Sequence, residues 1–160
     1  QHPLEETVEG FERLREQGKI KRWGVSNFDV DDLRELHNPD CATNQVLYNP
    51  AQRGIEFDLL PWCEKRGLPT MAYCPLAQAG RLLQHPVLAE IAERHGATPA
   101  QVSLAWVTRD DGVIAIPKAV APEHVRLNAA AGALTLTGED LRAIDRAFPA
   151  PTRKQRLAMV

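Results

Sequence analysis

Three short stretches of this chain place polar side chains directly after an apolar run. They are residues 24–28 (Gly-Val-Ser-Asn-Phe), 44–46 (Asn-Gln-Val) and 116–118 (Ile-Pro-Lys). Each apolar run is typical of a strand, and ligands of parallel α/β folds bind where strands end in loops. Hydroxyls and amides offer donors and acceptors, and a lysine offers positive charge. In this order, the three stretches predict a site for one extended, polar molecule that carries phosphate.

The elements that must position these side chains alternate between strands and helices. A first helix steps at Leu4, Val8 and Phe11 and ends at Gly18. After it, the pattern predicts four strands, each followed by helix, and one additional terminal helix. The strands are predicted at 20–25, 43–48, 69–74 and 112–116, and the helices at 29–36, 55–66, 86–95, 122–131, from 98 onward and from 137 onward. Such alternation requires a parallel sheet with right-handed crossovers.

Local signals indicate where several helices begin. Asp29 is a predicted N-cap, Thr98 and Gln101 have the spacing of a capping box, and Thr137 is placed to cap the last helix. The fourth predicted strand is apolar almost throughout, as expected of a strand buried on both faces. No G-x-G-x-x-G motif follows the first strand, which favours a barrel over a doubly wound sheet.

Composition excludes several classes of protein. The 160 residues are 44% hydrophobic and 25% charged, as in one globular domain with a sizeable core. A net charge of −2 gives no electrostatic case for nucleic-acid or membrane binding, and no apolar run approaches the roughly 20 residues that span a bilayer.

Cys41, Cys63 and Cys74 lack zinc-site spacing. We expect them to be free thiols in a reducing, cytoplasmic compartment, with no metal bound. Because the sequence begins at Gln1, we also expect it to be the later part of a longer protein.

Four motifs resemble successive strand ends of the aldo-keto reductase family. They are residues 23–28 (WGVSNF), 44–50 (NQVLYNP), 72–76 (AYCPL) and 115–118 (AIPK). The resemblance implies a (β/α)8 TIM barrel. Residues 1–160 would form a single partial domain, the C-terminal half, with strands five to eight, their helices and an extra C-terminal helix. The preceding helix, which starts at Pro3, would be the fourth.

The resemblance implies a cofactor site for NADP, with NAD as the alternative. Ser26, Asn27 and Gln45 would hydrogen-bond the nicotinamide carboxamide, and Tyr73 would stack on the nicotinamide ring. The backbone from 74 to 78 would approach the pyrophosphate. The complete set of implied cofactor-binding residues is Ser26, Asn27, Gln45, Tyr73, Cys74, Leu76, Gln78, Lys118, His124 and Asn128.

The adenosine end of this implied site departs from the family pattern. Lys118 would pair with the 2′-phosphate and Asn128 would contact the adenine. Many members have a hydroxyl residue where this chain has Ala119, and an arginine where it has His124. Histidine is a weaker partner for phosphate than arginine, although Arg126 lies nearby in sequence. We therefore expect a preference for NADPH that is weaker than usual.

No catalytic residue of the family can be assigned in this chain. The family transfers a hydride to a carbonyl with help from a tyrosine, a lysine, an aspartate and a histidine, all in the first half of the barrel. His2 precedes a helix rather than ending an apolar strand, and neither Tyr48 nor Tyr73 has the position of the catalytic tyrosine. We therefore expect the chain alone to be inactive.

Each implied role has a plainer alternative. Ser26 and Asn27 could cap the following helix, Tyr73 could be a core residue, and Lys118 could be a solvated loop lysine. Two functions follow. In the first, the full-length protein is an NADP(H)-dependent oxidoreductase that reduces small aldehydes or ketones to alcohols. In the alternative, the chain is a non-catalytic half-barrel that binds nucleotide or pairs with a second copy through bare strand edges at 20–25 and 112–116.

Overall fold

A four-stranded parallel sheet forms the centre of the computed structural model, which describes residues 3–160. The strands are β1 (Trp23–Ser26), β2 (Cys41–Leu47), β3 (Thr70–Tyr73) and β4 (Val113–Ala115). Their order in the sheet is their order in the chain, and every neighbouring pair is parallel. The parallel α/β architecture predicted from the alternating pattern is therefore confirmed.

Among residues 3–160, seven α-helices connect and cover these strands. They are α1 (Leu4–Glu16), α2 (Val30–Leu36), α3 (Leu59–Glu64), α4 (Pro86–His95), α5 (Pro99–Val107), α6 (Pro122–Ala130) and α7 (Gly138–Ala147). Short 3-10 turns occupy Gly54–Glu56, Ala77–Ala79, Arg81–Gln84 and Ala131–Ala133. The last ten residues, from 151 onward, contain neither helix nor strand.

The predicted helix caps are confirmed. The Asp29 carboxylate accepts hydrogen bonds from the backbone N–H groups of Asp31 and Asp32, and the Asp32 carboxylate accepts one from the Asp29 N–H in return. Thr98 forms the same reciprocal arrangement with Gln101. These caps satisfy amide groups that no helical carbonyl can reach.

Two predicted elements differ from the observed ones. The helix predicted at 55–66 is split into a 3-10 turn and α3, which begins at Leu59 and has Pro61 in its first turn. Proline has no N–H to donate, so a regular helix cannot run through it from the N-terminal side. The first strand begins at Trp23 rather than Ile20, because the exposed, charged Lys21 and Arg22 precede it.

The two faces of the sheet have different surroundings. Val46 and Ala72 are fully buried on the face that packs against the helices. Gln45, Met71 and Ile114 are aligned by the strand register on the opposite face. Ile114 is 47% exposed, so the prediction that the fourth strand is buried on both faces is wrong for the described residues. Among residues 3–160, β4 pairs with β3 alone, and the face of β4 that carries Ile114 stays exposed.

A buried carboxylate ties α7 to α4. Asp140 is 1% exposed and accepts hydrogen bonds from Arg94 (2.5 Å) and His95 (2.7 Å) of α4. Burial alone would raise the pKa of Asp140, but these hydrogen bonds and those from Thr137 outweigh burial and hold the pKa well below its usual range. Asp140, which completes the capping box of α7 with Thr137, therefore also joins two helices that are distant in the chain.

Candidate functional site

The ends of β1 and β2 bring three of the implied cofactor-binding residues together. Ser26 is opposite Gln45 in the strand register. The backbone carbonyl of Gln45 accepts hydrogen bonds from the Ser26 hydroxyl (3.1 Å) and the Asn27 N–H (2.8 Å). Asn27 has φ of 58°, a left-handed conformation that asparagine tolerates better than most residues. This turn places the polar side chains at the open edge of the sheet.

Tyr73, at the end of β3, joins the same cluster. Its hydroxyl donates to Oδ1 of Asn27 at 3.1 Å, and its ring is only half-buried. The neighbouring Gln45 side chain donates through Nε2 to the sulfur of Met71 at 3.3 Å. Ser26, Asn27, Gln45 and Tyr73 therefore lie together at one edge of the sheet, and their roles toward a cofactor stay predictions. Their half-buried or exposed side chains leave polar atoms and a ring accessible on the uncovered face.

Asn44 supports this cluster from the buried side. It is 1% exposed, its Nδ2 donates to the carbonyl of Phe28 at 2.8 Å, and its Oδ1 accepts from the Phe28 N–H at 3.4 Å. An unpaired buried amide would be costly, so this reciprocal pair holds the loop after β1 to β2. Sequence reasoning quoted Asn44 within a motif but assigned it no role.

The segment after β3 has an unusual backbone. Cys74, Ala77, Gln78 and Ala79 have φ values of 47°, 47°, 57° and 56°. Left-handed conformations of non-glycine residues are costly and need support from surrounding structure. Two buried side chains donate hydrogen bonds to this segment. The first is Asn49, whose Nδ2 donates to the Cys74 carbonyl at 3.0 Å, and the second is a residue of α5.

That second contact comes from a serine inside an apolar helix. Ser103 is fully buried in α5, and its hydroxyl donates to the carbonyl of Pro75 at 2.9 Å. Neither Asn49 nor Ser103 was identified from the sequence. The only signal for Ser103 was one hydroxyl between Val102 and Leu104 on a helix whose other buried residues are all apolar.

The loop after β4 and helix α6 hold the remaining implied residues. Lys118 is exposed and, among residues 3–160, forms no ion pair. His124 is exposed on α6, and Asn128 is half-buried beside a cavity of about 390 Å³ that Pro117 and Ala119 also line. Among residues 3–160, no hydrogen bond or ion pair joins Lys118, His124 or Asn128 to the cluster around Tyr73. Leu76 is half-buried and Gln78 is exposed within the segment after β3.

The three cysteines are free thiols in different surroundings. Cys41 and Cys63 are buried, and burial raises the pKa of Cys63 to about 11. Cys74 is half-buried at the start of the left-handed segment. Among residues 3–160, no group of three or more histidine, cysteine or acidic side chains is placed to hold a metal. The described helices include none with the length and apolar character needed to cross a membrane. His2 lies outside the described residues.

Comparison of the sequence with models of protein families shows which family the chain belongs to. A model of the aldo/keto reductase family matches residues 1–148. The chain belongs to the aldo-keto reductase family. This membership confirms the family suggested by the four strand-end motifs.

Several members of the family are similar to this chain over nearly its whole length. Methylglyoxal reductase YeaE of Escherichia coli K12 is 52% identical over 165 residues, which cover 98% of this chain and 58% of that protein. Glyoxal reductase of Bacillus subtilis is 37% identical, covering 88% of this chain and 50% of that protein. This aldo-keto reductase chain therefore spans between half and three fifths of the length of these relatives.

Solved structures agree with the observed fold. An aldo-keto reductase from Klebsiella pneumoniae in complex with NADPH is 55% identical, with a TM-score of 0.97, over 100% of this chain and 59% of that one. The thermostable reductase Tm1743, solved with the inhibitor epalrestat, is 38% identical with a TM-score of 0.82, over 91% of this chain and 55% of that one. The four parallel strands and their helices thus match part of the reductase fold, as the predicted fold class requires.

Proposed function

We propose that this chain forms the NADP(H)-binding part of an aldo-keto reductase that converts aldehydes or ketones to alcohols. The observation that carries the proposal is the strand-end cluster of Ser26, Asn27, Gln45 and Tyr73. The cluster lies beside the backbone segment after β3, which the buried side chains of Asn49 and Ser103 hold by hydrogen bonds. In addition, the chain is 55% identical to a reductase crystallised with NADPH.

The cluster suits the nicotinamide end of the cofactor. A carboxamide both donates and accepts hydrogen bonds, and Ser26, Asn27 and Gln45 offer both kinds of group. The Tyr73 hydroxyl is bound to Asn27 at 3.1 Å, which fixes the orientation of a ring that is available for stacking. When bound, the nicotinamide supplies the hydride; the chain's own residues would orient it toward the open face of the sheet.

The adenosine end would lie near Lys118, with the adenine toward Asn128. Lys118 is an exposed cation with no ion-pair partner among residues 3–160, so its charge is available for a 2′-phosphate. His124 and Arg126 are exposed on α6. Because His124 stands where many members of the family have an arginine, the preference for NADPH over NADH would rest mainly on Lys118.

The rest of the reductase would be supplied along the two open edges of the sheet. β1 and β4 each pair with one neighbour, and Ile114 and Ile116 of the β4 region are 47% and 37% exposed. About two fifths of the solved Klebsiella reductase lies outside the part that matches this chain. We propose that this additional length corresponds to the strands that close the barrel and to the tyrosine, lysine, aspartate and histidine that catalyse proton transfer.

The names of the similar enzymes guide the choice of substrate. Relatives named methylglyoxal reductase and glyoxal reductase are 52% and 37% identical to this chain. Small dicarbonyl compounds are therefore the substrates to assay first. In a reductase of this kind, specificity depends on loops at the strand ends, and half of those loops come from outside these residues.

The first test replaces Lys118 with methionine in the full-length protein. We expect the Kd for NADPH to rise about tenfold or more, because loss of one charge-assisted hydrogen bond costs about 1.5–3 kcal/mol. The Kd for NADH, which lacks the 2′-phosphate, should change less than about twofold. The matched control is Lys65→Met, at an exposed lysine that follows α3. Equal losses for both nucleotides would contradict the role of Lys118.

Two further outcomes separate the enzyme from the alternative. Full-length protein that oxidises no NADPH with a panel of dicarbonyls, aldehydes and ketones would refute the proposed activity. The alternative, a non-catalytic half-barrel, would be supported if the polypeptide made by the cell has a mass of 17.8 kDa, the mass of these residues. That polypeptide would also have to be stable, oligomeric and inactive. Purified residues 1–160 should bind nucleotide weakly and reduce nothing.

A further inference from the structure

We propose that Asn49 and Ser103 are positioning residues that hold the backbone at 74–80 in the shape that receives the pyrophosphate of the cofactor. This inference rests on the proposed function. It adds two residues that contact no ligand themselves but fix the segment that does.

Consecutive carbonyl oxygens are held by side chains from two separate elements. The Cys74 oxygen accepts from Nδ2 of Asn49 at 3.0 Å, and the Pro75 oxygen accepts from Oγ of Ser103 at 2.9 Å. Asn49 is 1% exposed and Ser103 is 0% exposed. Oδ1 of Asn49 accepts from the Ala51 N–H at 3.0 Å, so the orientation of this amide is fixed and its Nδ2 must face Cys74.

The held carbonyls stand at the start of the left-handed stretch. The Cys74 oxygen also accepts from the Ala77 N–H at 2.9 Å, and the Ala79 N–H donates to Leu76 at 2.9 Å. Left-handed backbone is costly for residues other than glycine, and four of them lie within the six residues 74–79. The change of hand from Leu76 (φ −108°) to Ala77 (φ 47°) turns successive amide groups to one side, where they can bind an anion. Such a conformation persists only if its surroundings impose it.

Both anchors belong to rigid parts of the molecule. Ser103 lies on α5, where all six residues from 102 to 107 are buried. The loop that carries Asn49 is closed by a network around Glu56, whose carboxylate accepts from Tyr48 (2.6 Å), Arg53 (2.8 Å) and Arg109 (3.2 Å). Burial raises the pKa of Tyr48 above its usual range, which keeps its hydroxyl a donor to Glu56. The two anchors therefore join the segment to the core rather than to a mobile loop.

The test uses Ser103→Ala and Asn49→Ala in the full-length protein, with two ligands. NADPH contains the pyrophosphate, whereas adenosine 2′-monophosphate carries the 2′-phosphate without it. We expect each variant to raise the Kd for NADPH about tenfold, equivalent to about 1.4 kcal/mol, and to change the Kd for adenosine 2′-monophosphate less than about twofold.

A matched control removes a similar hydrogen bond at the other end of β3. Oγ1 of Thr43 donates to the carbonyl of Pro69 at 2.9 Å, so Thr43→Val deletes a hydroxyl–carbonyl contact of the same kind away from the segment. Thr43→Val should lower the free energy of unfolding without a selective loss of NADPH affinity. If Ser103→Ala affected NADPH no more than Thr43→Val, or weakened both ligands equally, the inference would be overturned.

Hydrogen exchange supplies a readout that needs no ligand. In both alanine variants the amides of residues 76–80 should exchange at least about tenfold faster, while those of β2 keep their protection. If the wild-type protein binds NADPH but exchange in the two alanine variants is unchanged, the inference is refuted and the proposed function is not. A wild-type protein that binds neither ligand would refute the proposed function, and the inference with it.

Discussion

Gly24 is the position where the pairing of β1 and β2 leaves no room for a side chain. A Cβ atom placed there would lie 2.6 Å from the backbone oxygen of Thr43 and 2.7 Å from its Cγ2 atom. The register between the two strands is also irregular between Trp23 and Val25. Gly24→Ala therefore tests whether close approach of β1 to β2 positions the ligand-binding edge of the sheet.

The geometry sets the size of the expected effect. Because nonbonded heavy atoms pack best at about 3.5 Å or more, relief of the 2.6 Å contact requires roughly 0.9 Å of movement. The same movement would break the hydrogen bonds that the Gln45 carbonyl accepts from Ser26 at 3.1 Å and Asn27 at 2.8 Å. Overpacking of this kind costs about 1–3 kcal/mol. We expect the free energy of unfolding to fall by that amount and NADPH affinity to fall with it.

Urea unfolding and NADPH titration of the full-length variants measure both effects. Gly10→Ala is the control, because a Cβ atom on that helical glycine meets nothing within 4 Å and should raise stability by about 0.5–1 kcal/mol. Adding Thr43→Ala to Gly24→Ala removes the Cγ2 contact but leaves the backbone oxygen, so it should restore only part of the loss. A Gly24→Ala protein as stable as wild type, with unchanged NADPH affinity, would refute the reasoning.

Two other predictions concern titratable groups. Since the pKa of Asp140 is lowered in the folded protein, its stabilisation is complete near neutral pH and is lost as the pH falls below about 4 toward the folded pKa. Asp140→Asn should lower the free energy of unfolding by about 2 kcal/mol at pH 7, within the roughly 1.5–3 kcal/mol that hydrogen bonds to a charged group contribute. It should also flatten this acid dependence, as measured by urea unfolding at several pH values; an unchanged acid slope would contradict the assignment. With a chromogenic disulfide reagent, Cys74 should react first, and Cys41 and Cys63 only on unfolding, because they are buried. Three equally fast thiols would contradict the observed burial.

The sequence was informative where a local signal determines a local outcome. Asp29, Thr98 and Thr137 cap their helices as predicted, because a cap needs only its own residue and one three positions later. Parallel strand order followed from the alternation of elements. Ser26 and Gln45 were predicted to meet because both end consecutive strands, and their register partnership supports that reasoning.

Features that depend on distant neighbours were not predictable in the same way. Ile114 reads as a core residue, but burial depends on which layer covers its face, and no layer does so among the described residues. Ser103 is one hydroxyl in an apolar helix, and its partner at Pro75 is set only by packing. The positive φ angles of Ala77 and Ala79 could not be predicted, because left-handed backbone is usually signalled by glycine and these residues are alanine. The cofactor roles of all ten implied residues, Lys118, His124 and Asn128 among them, remain predictions.

The agreement between strand order and chain order has a kinetic consequence. Each strand pairs with the one that immediately precedes it, so no pairing must wait for a distant part of the chain. Trp23 and Cys41 are the closest paired residues along the chain, while Thr70 and Val113 are a little over twice as far apart. Doubling a loop adds only about 0.6 kcal/mol to the entropy of closing it. During synthesis on the ribosome, the sheet can therefore grow in one direction, from β1 toward β4, as each strand emerges.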